Sequence, residues 1–247
     1  LLSMSKEWFA SWFDTPFYHT LYSNRNDEEA TQFISNLFKH LQIPQGAAIL
    51  DVACGKGRHA KSMHALGMNV TGIDLSCNSI TTANEMATTG LRFDVWDMRE
   101  PYKETNFDVV TNLFSSFGYF EDPFDDDLAI QSMQAVLKTN GLFIFDYMNP
   151  EFIIKSLKAR EIVSRGELQF HIQRKVENGF IRKQINFLHD GVEHEYVEQL
   201  KVIKFEQFQK LFLASGFIIE ETFGNYDLSP FDFGSSPRQI WVLKKAT

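Results

Sequence analysis

The feature that most constrains the fold is residues 45–60, where an apolar run passes into a glycine-rich loop. The run at 47–52 predicts a buried strand, because an apolar stretch interrupted by Asp51 and followed by two glycines is typical of a strand entering a loop. Gly55 and Gly57 lack Cβ atoms, so the backbone there can take positive φ and approach a ligand closely. The helix expected after the loop would direct its free N–H groups and positive dipole end at that ligand.

Two ligand classes could use such a strand–loop–helix unit. Residues 55–60 match the dinucleotide pattern G-x-G-x-x-G/A, in which a pyrophosphate sits on the helix N-terminus. Asp51, however, stands four residues before Gly55, and a carboxylate there would repel a pyrophosphate but attract an ammonium group. S-adenosylmethionine (SAM) carries an ammonium and a sulfonium but no phosphate. The segment therefore favours SAM and leaves an NAD-dependent oxidoreductase as an alternative.

Strands and helices are expected to alternate along most of the chain. Helices are predicted at 27–41, 58–66, 77–88, 125–137 and 205–214. Strands are predicted at 68–75, 91–95, 107–113, 142–147, 217–223 and 239–245, with a turn at 138–141. The rhythm breaks at 158–204, where strand-like stretches at 161–174, 180–188 and 192–204 are joined by Asn-Gly and Asp-Gly turns.

Residues 51–57, DVACGKG, resemble the acidic-x-G-x-G-x-G motif of class I SAM-dependent methyltransferases, with Ala53 at the position of the first glycine. The resemblance continues at matched spacing over residues 70–148. It implies an α/β fold: a Rossmann-like seven-stranded sheet, mostly parallel with an antiparallel last strand, flanked by helices. A small antiparallel β insertion would follow strand 5. It also implies that the chain is an enzyme that transfers a methyl group from SAM, with S-adenosylhomocysteine as product, and says little about the acceptor.

The resemblance also implies the cofactor contacts. Asp74 ends the second predicted strand 17 positions after Gly57, and it matches the family's ribose-binding acid. Asp97 follows the third strand and matches the acid near the adenine amino group, with Met98 against the ring. Asp51 would meet the SAM ammonium. The expected cofactor contacts are Tyr22, Asp51, Ala53, Cys54, Gly55, Gly57, Arg58, Asp74, Leu75, Asp97, Met98, Asn112 and Phe114.

The methyl acceptor is expected beside residues 114–120, which follow the fourth strand at the carboxyl edge of the sheet. Ser115, Phe117, Tyr119 and Arg238 are the candidate acceptor contacts. Methyl transfer from a sulfonium is a direct displacement, so most of the rate comes from positioning, and a general base is needed only for a protonated acceptor. The candidate bases are His19, Tyr119 and Tyr147.

The predicted layout is a SAM-binding domain at 1–157 and 205–247, with an inserted β subdomain at 158–204 that covers the active site. The aromatic N-terminal segment, 1–26, is expected to close over the cofactor as a lid, with Tyr18, Tyr22 and Arg25 touching cofactor or substrate. Simple packing of this segment on the core is an equal alternative.

Composition limits the class of partner. A net charge of −8 argues against a broad nucleic-acid footprint, which needs a basic face. The chain also lacks the Asn-Pro-Pro-aromatic pattern of methylases that act on DNA bases or glutamine. The two cysteines indicate a cytoplasmic protein without a metal, and no apolar run is long enough to span a membrane. We therefore expect a small-molecule substrate and no membrane association. A monomeric or homodimeric state is left open. Methylation of RNA or protein, and a SAM-binding protein without catalysis, remain alternatives.

Overall fold

Strands and helices alternate along most of the chain and are interrupted by one run of four consecutive strands. The computed structural model describes residues 8–23 and 27–246, so the expected contact Arg25 lies outside the described residues. In chain order the elements are α1 (Trp8–Trp12), α2 (Pro16–Leu21), α3 (Asp27–His40), β1 (Ala48–Val52), α4 (Arg58–Ala65), β2 (Asn69–Asp74), α5 (Cys77–Asn84), β3 (Leu91–Val95), β4 (Phe107–Asn112), α6 (Pro123–Val136), β5 (Leu137–Met148), α7 (Pro150–Lys155), β6 (Arg160–Arg165), β7 (Leu168–Glu177), β8 (Phe180–His189), β9 (Val192–Lys201), α8 (Phe205–Ala214), β10 (Phe217–Phe223) and β11 (Arg238–Lys245).

Seven strands form the main sheet in the order β10-β11-β5-β4-β1-β2-β3. Strands β1 to β5 pair in parallel, and β11 runs antiparallel to both β5 and β10. The predicted fold class is confirmed, and β4 lies at the centre of the sheet as its apolar sequence indicates. All five parallel strands therefore end at one edge, where the ligand site of an open α/β sheet is found.

Side chains that alternate along each strand build one hydrophobic core on each face of the sheet. In β5, Phe143 and Phe145 pack on one face, while Ile144 between them packs on the other. Helices α3, α4 and α5 cover the face of Ile144, and α6 and α8 cover the face of Phe143. This three-layer arrangement buries both faces, which explains why the central strands are almost continuously apolar.

Helix starts are set by local capping signals. The Ser76 hydroxyl accepts a hydrogen bond from the Ser79 N–H at 3.0 Å and begins α5. Asn149 caps α7, with Pro150 at the first helical position, where its missing N–H costs nothing. Helix α7 was not predicted, although this Asn-Pro pair is a recognisable start signal.

Strands β6 to β9 form a separate antiparallel sheet in sequence order. Its inner face carries Phe170, Ile172, Ile185 and Phe187, each no more than 4% exposed, and belongs to the same hydrophobic cluster as α8 and β5. The inserted sheet is thus continuous with the main core.

Three predicted elements differ in the structure. The stretch at 161–174 is not one strand, because a turn at Gly166, with φ of 57°, splits it into β6 and β7. The predicted turn at 138–141 lies within β5, where these residues form an irregularity in the pairing with β4. Helix α5 ends at Asn84 instead of residue 88, because the following N–H groups bond three residues back, as in a turn.

No helix among the described residues combines the length and the apolar character that crossing a membrane requires.

Candidate active site

A cavity of about 520 Å³ opens over the carboxyl ends of β1, β2, β3 and β4. Its floor is formed by residues that follow those strands, and its roof is formed by α1, α2 and the residues next to them. The polar and loop part of the lining is Ala53, Cys54, Gly55, Lys56, Arg58, His59, Asp74, Leu75, Asp97 and Met98, and the aromatic part is Phe9, Phe13, Tyr18, Tyr22, Trp96, Phe114, Tyr119 and Phe120. Twelve of the predicted site residues lie in this lining, namely His19, Tyr22, Ala53, Cys54, Gly55, Arg58, Asp74, Leu75, Asp97, Met98, Phe114 and Tyr119.

The glycine loop takes left-handed backbone conformations at three positions. Gly55 and Gly57 have φ of 56° and 80°, and a Cβ on Gly57 would lie 2.7 Å from the Phe93 ring. A Cβ on Gly55 would meet nothing within 4 Å, so that position is open toward the cavity. Ala53 also has a positive φ, 58°, which costs an L-residue about 1 kcal/mol or more. The alanine therefore occupies a conformation that suits the glycine of the family motif.

Asp74 ties the end of β2 to this loop. Its carboxylate accepts hydrogen bonds from the backbone N–H of Gly55 at 2.7 Å and of Ser76 at 2.9 Å. Burial raises the pKa of the carboxyl, and the two N–H groups oppose that effect. A carboxylate offers about four acceptor sites, so capacity remains for hydroxyl donors from the cavity.

Asp51 lies behind the cavity lining and is 1% exposed. Its Oδ1 accepts from the Thr111 hydroxyl at 2.8 Å, while its Oδ2 has no hydrogen-bond partner among the described residues. Burial, assisted by the charge of Asp74, raises its pKa to about 7. A cationic group near Oδ2 would compensate this buried acid, which fits the ammonium of SAM.

Asp97 is held by its neighbour Arg99. The guanidinium binds the carboxylate through Nη2 at 2.5 Å, and the Arg99 N–H adds a bond of 2.9 Å. Burial raises the pKa of Asp97, but these hydrogen bonds outweigh it and hold the pKa below its usual value. Asp97 therefore stays ionised and oriented at the cavity wall beside Met98.

Asn112, at the end of β4, lies beneath the lining. Its Nδ2 donates to the carbonyls of Val52 at 3.2 Å and Ser116 at 3.4 Å, and its Oδ1 has no partner within the described part of the chain. Gly57 likewise lies outside the lining and packs against Phe93.

The loop after β4 holds two consecutive residues in the left-handed region. Phe114 and Ser115 have φ of 65° and 60°, although neither is glycine. The Phe114 N–H donates to Asp146 Oδ2 at 2.8 Å, and the Ser115 N–H donates to the Asp146 carbonyl at 3.0 Å. The Phe114 ring consequently faces the cavity, with the Arg58 guanidinium 4.6 Å from its centre.

Besides Asp51, Gly57 and Asn112, four more predicted residues lie outside the cavity lining, namely Ser115, Phe117, Tyr147 and Arg238. Phe117 and Tyr147 are fully buried, and the Tyr147 hydroxyl donates to the Lys201 carbonyl at 2.7 Å. Burial raises the pKa of Tyr147 well above its ordinary value, so it is poorly suited to act as a base. Ser115 accepts bonds from the Met148 N–H and from Arg238, whose guanidinium also pairs with Asp146 at 2.7 Å.

Tyr119 and Tyr22 do reach the cavity, and both hydroxyls are engaged elsewhere. Tyr119 donates to the Ser115 carbonyl at 2.6 Å. Tyr22 donates to Glu198 of β9 at 2.7 Å, and Lys183 of β8 donates to Tyr22. Both residues thus line the cavity while their hydroxyls are hydrogen-bonded to other parts of the protein.

The inserted sheet contributes no residue to the cavity lining within the described chain. It contacts the α1–α2 segment instead: the ring centroids of Trp12 and Tyr196 lie 4.3 Å apart, and those of Phe17 and Phe187 lie 4.8 Å apart. The insertion thus supports the roof from behind.

The sequence analysis did not identify Asp146, Glu198 and Lys183. These residues do not line the cavity, but they bond to residues that do. The signal available for Asp146 was a carboxylate inside an otherwise apolar strand, where a buried charge needs a partner. Nothing local distinguishes Glu198 or Lys183 from the other charges of the insertion.

The comparisons with known proteins agree with this geometry. A family model described as a methyltransferase domain matches residues 43–201, more than half of the chain. A Streptomyces fradiae protein, dTDP-3-amino-3,6-dideoxy-alpha-D-glucopyranose N,N-dimethyltransferase, is 26% identical over 187 residues, which are 72% of this chain and 72% of the relative.

Two solved structures share the fold. A SAM-dependent methyltransferase from Clostridium acetobutylicum superposes with a TM-score of 0.79 at 20% identity, covering 97% of this chain and 98% of that one. SAM-bound CalS10, an amino pentose methyltransferase from Micromonospora echinaspora, superposes with a TM-score of 0.70 at 20% identity, covering 94% and 98%. With the family match over the glycine loop and all five parallel strands, the chain belongs to the methyltransferase domain family, as a class I enzyme that uses SAM.

Proposed function

We propose that this enzyme methylates an amine of a small molecule, and that amino sugars are the first acceptors to test. The observation that carries the proposal is the cavity itself, which has the Asp74 carboxylate and many aromatic rings in its lining and the buried Asp51 carboxylate behind that lining. The names of the Streptomyces fradiae relative and of CalS10 describe methyl transfer to amino sugars, which supports the same acceptor class.

The side chains around the cavity suit an amine better than an alcohol. An alcohol requires a strong base before it can attack, whereas an amine is partly neutral near pH 8 without help. The Tyr119 hydroxyl donates to a backbone carbonyl and Tyr147 is buried in the core, so neither of these two predicted bases is placed to deprotonate an alcohol, and His19 is the predicted base that lines the cavity.

Each group of residues has a proposed role toward SAM, which supplies an activated methyl group on its sulfonium. Asp51 compensates the ammonium, Asp74 accepts from the ribose hydroxyls, and Asp97 with Met98 holds the adenine. The loop at 53–58 surrounds the amino acid part, and Phe114 and Tyr119 bound the site of transfer. Attraction between a cation and these rings is worth roughly 0.5–2 kcal/mol.

The proposed domain layout keeps residues 1–26 as a lid and 158–204 as an inserted subdomain. Phe9, Phe13, Tyr18, His19 and Tyr22 line the cavity, which supports the lid role for the described part of that segment. The insertion is proposed to act on the site through this lid. A cytoplasmic location is proposed from the two free cysteines, Cys54 and Cys77, which suit a reducing compartment.

The test is a methylation assay with a matched pair of acceptors. We would incubate the protein with labelled SAM and either dTDP-3-amino-3,6-dideoxyglucose or its 3-hydroxy counterpart, and identify products by mass spectrometry. We expect methylation of the amine and none of the alcohol. Methylation on oxygen would contradict the proposal, and so would tight SAM binding without any methylated product from amine panels or metabolite extracts.

A further inference from the structure

The left-handed pair Phe114 and Ser115 is held by one buried residue, Asp146. Its carboxylate is 0% exposed and accepts from the Phe114 N–H, from the Tyr226 hydroxyl at 3.0 Å, and from the Arg238 guanidinium at 2.7 Å. Its main-chain carbonyl accepts from the Ser115 N–H. Both strained residues therefore depend on the same partner.

The network also determines where two cavity rings stand. Phe114 stacks on Tyr226 with centroids 5.6 Å apart and planes at 16°, and the Arg238 guanidinium lies 5.6 Å from the Phe114 ring centre. Ser115 presents its carbonyl to the Tyr119 hydroxyl at 2.6 Å and its Oγ to Arg238 at 3.1 Å. A shift of Asp146 or Arg238 would move Phe114 and Tyr119 together.

Two consecutive non-glycine residues with positive φ are costly and persist only where the surroundings enforce them. Here the enforcing groups come from β5, β11 and the loop before β11, while the strained residues follow β4. None of Asp146, Tyr226 or Arg238 lines the cavity, so their contact with a ligand is indirect.

We propose that Asp146, Arg238 and Tyr226 form a positioning network that sets the Phe114 and Tyr119 rings against the sulfonium methyl group of SAM. This rests on the proposed placement of SAM in the cavity, and it gives Arg238 a role behind the site instead of direct contact with the acceptor. The network acts by holding a conformation, so its loss should affect recognition of the methyl group more than binding of the nucleoside.

The test compares SAM with S-adenosylhomocysteine, which lacks the methyl group and the sulfonium charge. The main variant is Arg238→Lys, which keeps the positive charge beside Asp146 but loses the fork that reaches both Asp146 and Ser115. Calorimetry would give both affinities, and hydrogen exchange followed by mass spectrometry would report on residues 113–119. No acceptor is needed, so failure of this proposal is distinct from failure of the amine assignment.

For Arg238→Lys we expect SAM affinity to fall about fivefold or more while S-adenosylhomocysteine affinity changes less than about twofold. Exchange of the 113–119 amides should accelerate at least about tenfold, because Asp146, which accepts from the Phe114 and Ser115 N–H groups, is no longer held in place by the Arg238 guanidinium. Equal losses for the two ligands, or no change in a folded variant, would overturn the proposal.

Arg92→Lys is the matched control. Arg92 forks in the same way to a hydroxyl, Thr71, and a carboxylate, Glu104, but it does not line the cavity. Its variant should leave the ratio of the two affinities unchanged.

If Arg238→Lys does not fold, Tyr226→Phe carries the same test, because it removes one bond to Asp146 and keeps both charges and the ring stack. A normal ratio and normal exchange in Tyr226→Phe would then refute the network.

Discussion

At the scale of single residues, three aspartates with similar local sequence positions have different electrostatic environments. Asp51 is buried with an uncompensated oxygen, Asp74 is bound by two backbone N–H groups, and Asp97 is paired with Arg99. Burial raises the pKa of the first two, while Arg99 lowers that of the third. Asp51 therefore lowers the stability of the ligand-free protein, and binding of a cationic group would compensate its buried charge.

Replacing Asp51 by Asn should make stability less dependent on pH. An unfolded aspartate loses its proton near pH 4, whereas folded Asp51 loses it at about pH 7, so the folded protein holds the extra proton between these values. The wild-type free energy of unfolding therefore falls as pH rises from about 4 to about 7. Relative to wild type, we expect Asp51→Asn to gain about 2–3 kcal/mol more at pH 8 than at pH 5.

Urea unfolding of both proteins at pH 5 and pH 8, without ligand, measures this difference. Asp126, whose pKa burial raises to about 6, is present in both proteins, so its contribution cancels. The variant should also bind SAM about tenfold more weakly, because the ammonium loses its counter-charge. An identical stability difference at both pH values would show that Asp51 is not the titrating group.

Asp74→Asn should lower SAM affinity by about tenfold or more. The variant loses charge-assisted hydrogen bonds worth about 1.5–3 kcal/mol, both to the ribose and to the Gly55 N–H that shapes the loop. Calorimetry with SAM measures the effect. Asp108→Asn is the control, since Asp108 accepts from the Ala48 N–H at 2.8 Å but does not line the cavity, and its SAM affinity should match wild type. Unchanged affinity in Asp74→Asn would remove the ribose role.

At the scale of elements, the roof of the cavity depends on the inserted sheet. Glu198 of β9 accepts from the Trp12 indole at 2.6 Å and from the Tyr22 hydroxyl at 2.7 Å, and Lys183 of β8 lies 3.4 Å from the same carboxylate. Burial lowers the pKa of Lys183, and Glu198 opposes that effect. One carboxylate thus joins α1, the end of α2 and the insertion, which is how strands outside the lining can influence the cavity.

Glu198→Gln should loosen the roof while preserving the fold. The amide keeps one acceptor for Trp12 or Tyr22 but removes the charge that pairs with Lys183, so we expect chymotrypsin cleavage within the aromatic-rich residues 8–23 to accelerate about fivefold or more. SAM should slow that cleavage in the variant by binding the closed form. Glu195→Gln is the matched control on the same strand, because Glu195 is exposed and its carboxylate accepts a hydrogen bond from Gln184 of the insertion. Equal cleavage of wild type and Glu198→Gln would contradict the anchoring role.

At the scale of the whole molecule, two sheets share one hydrophobic cluster. Phe170, Ile185 and Phe187 of the insertion belong to the same cluster as Phe208 of α8 and Trp241 of β11. The Tyr147 hydroxyl and the Lys201 carbonyl join β5 to the end of β9, and Lys201 pairs with Asp126 of α6. The insertion is therefore a separate sheet but not a separate core.

The protein should consequently unfold in one cooperative transition. We expect tryptophan fluorescence, which reports Trp12 beside the insertion and Trp241 in the main sheet, to give the same urea midpoint as far-UV circular dichroism. Saturating SAM should move both midpoints upward together. Two separate transitions, with only one moved by SAM, would show that the insertion is an independent unit.

The elements were predictable where the signal is local. The glycine loop, the strand ends at Asp51 and Asp74 and the last two strands follow from alternation, glycines and caps, which act over a few residues. Boundaries such as the split at Gly166 and the irregular start of β5 depend on pairing with neighbouring strands, so no local pattern specifies them.

The candidate site, too, was predictable only in those parts that follow from local sequence. The sequence placed carboxylates at the ends of parallel strands, and parallel geometry alone brings such ends to one edge, so Asp74 and Asp97 were found together in the lining. It could not show that Arg238 is paired with Asp146, 92 positions away, or that Tyr22 is bound by Glu198, 176 positions away. Whether a polar side chain faces a ligand or a buried partner depends on contacts between distant segments, and these exist only once the chain has folded.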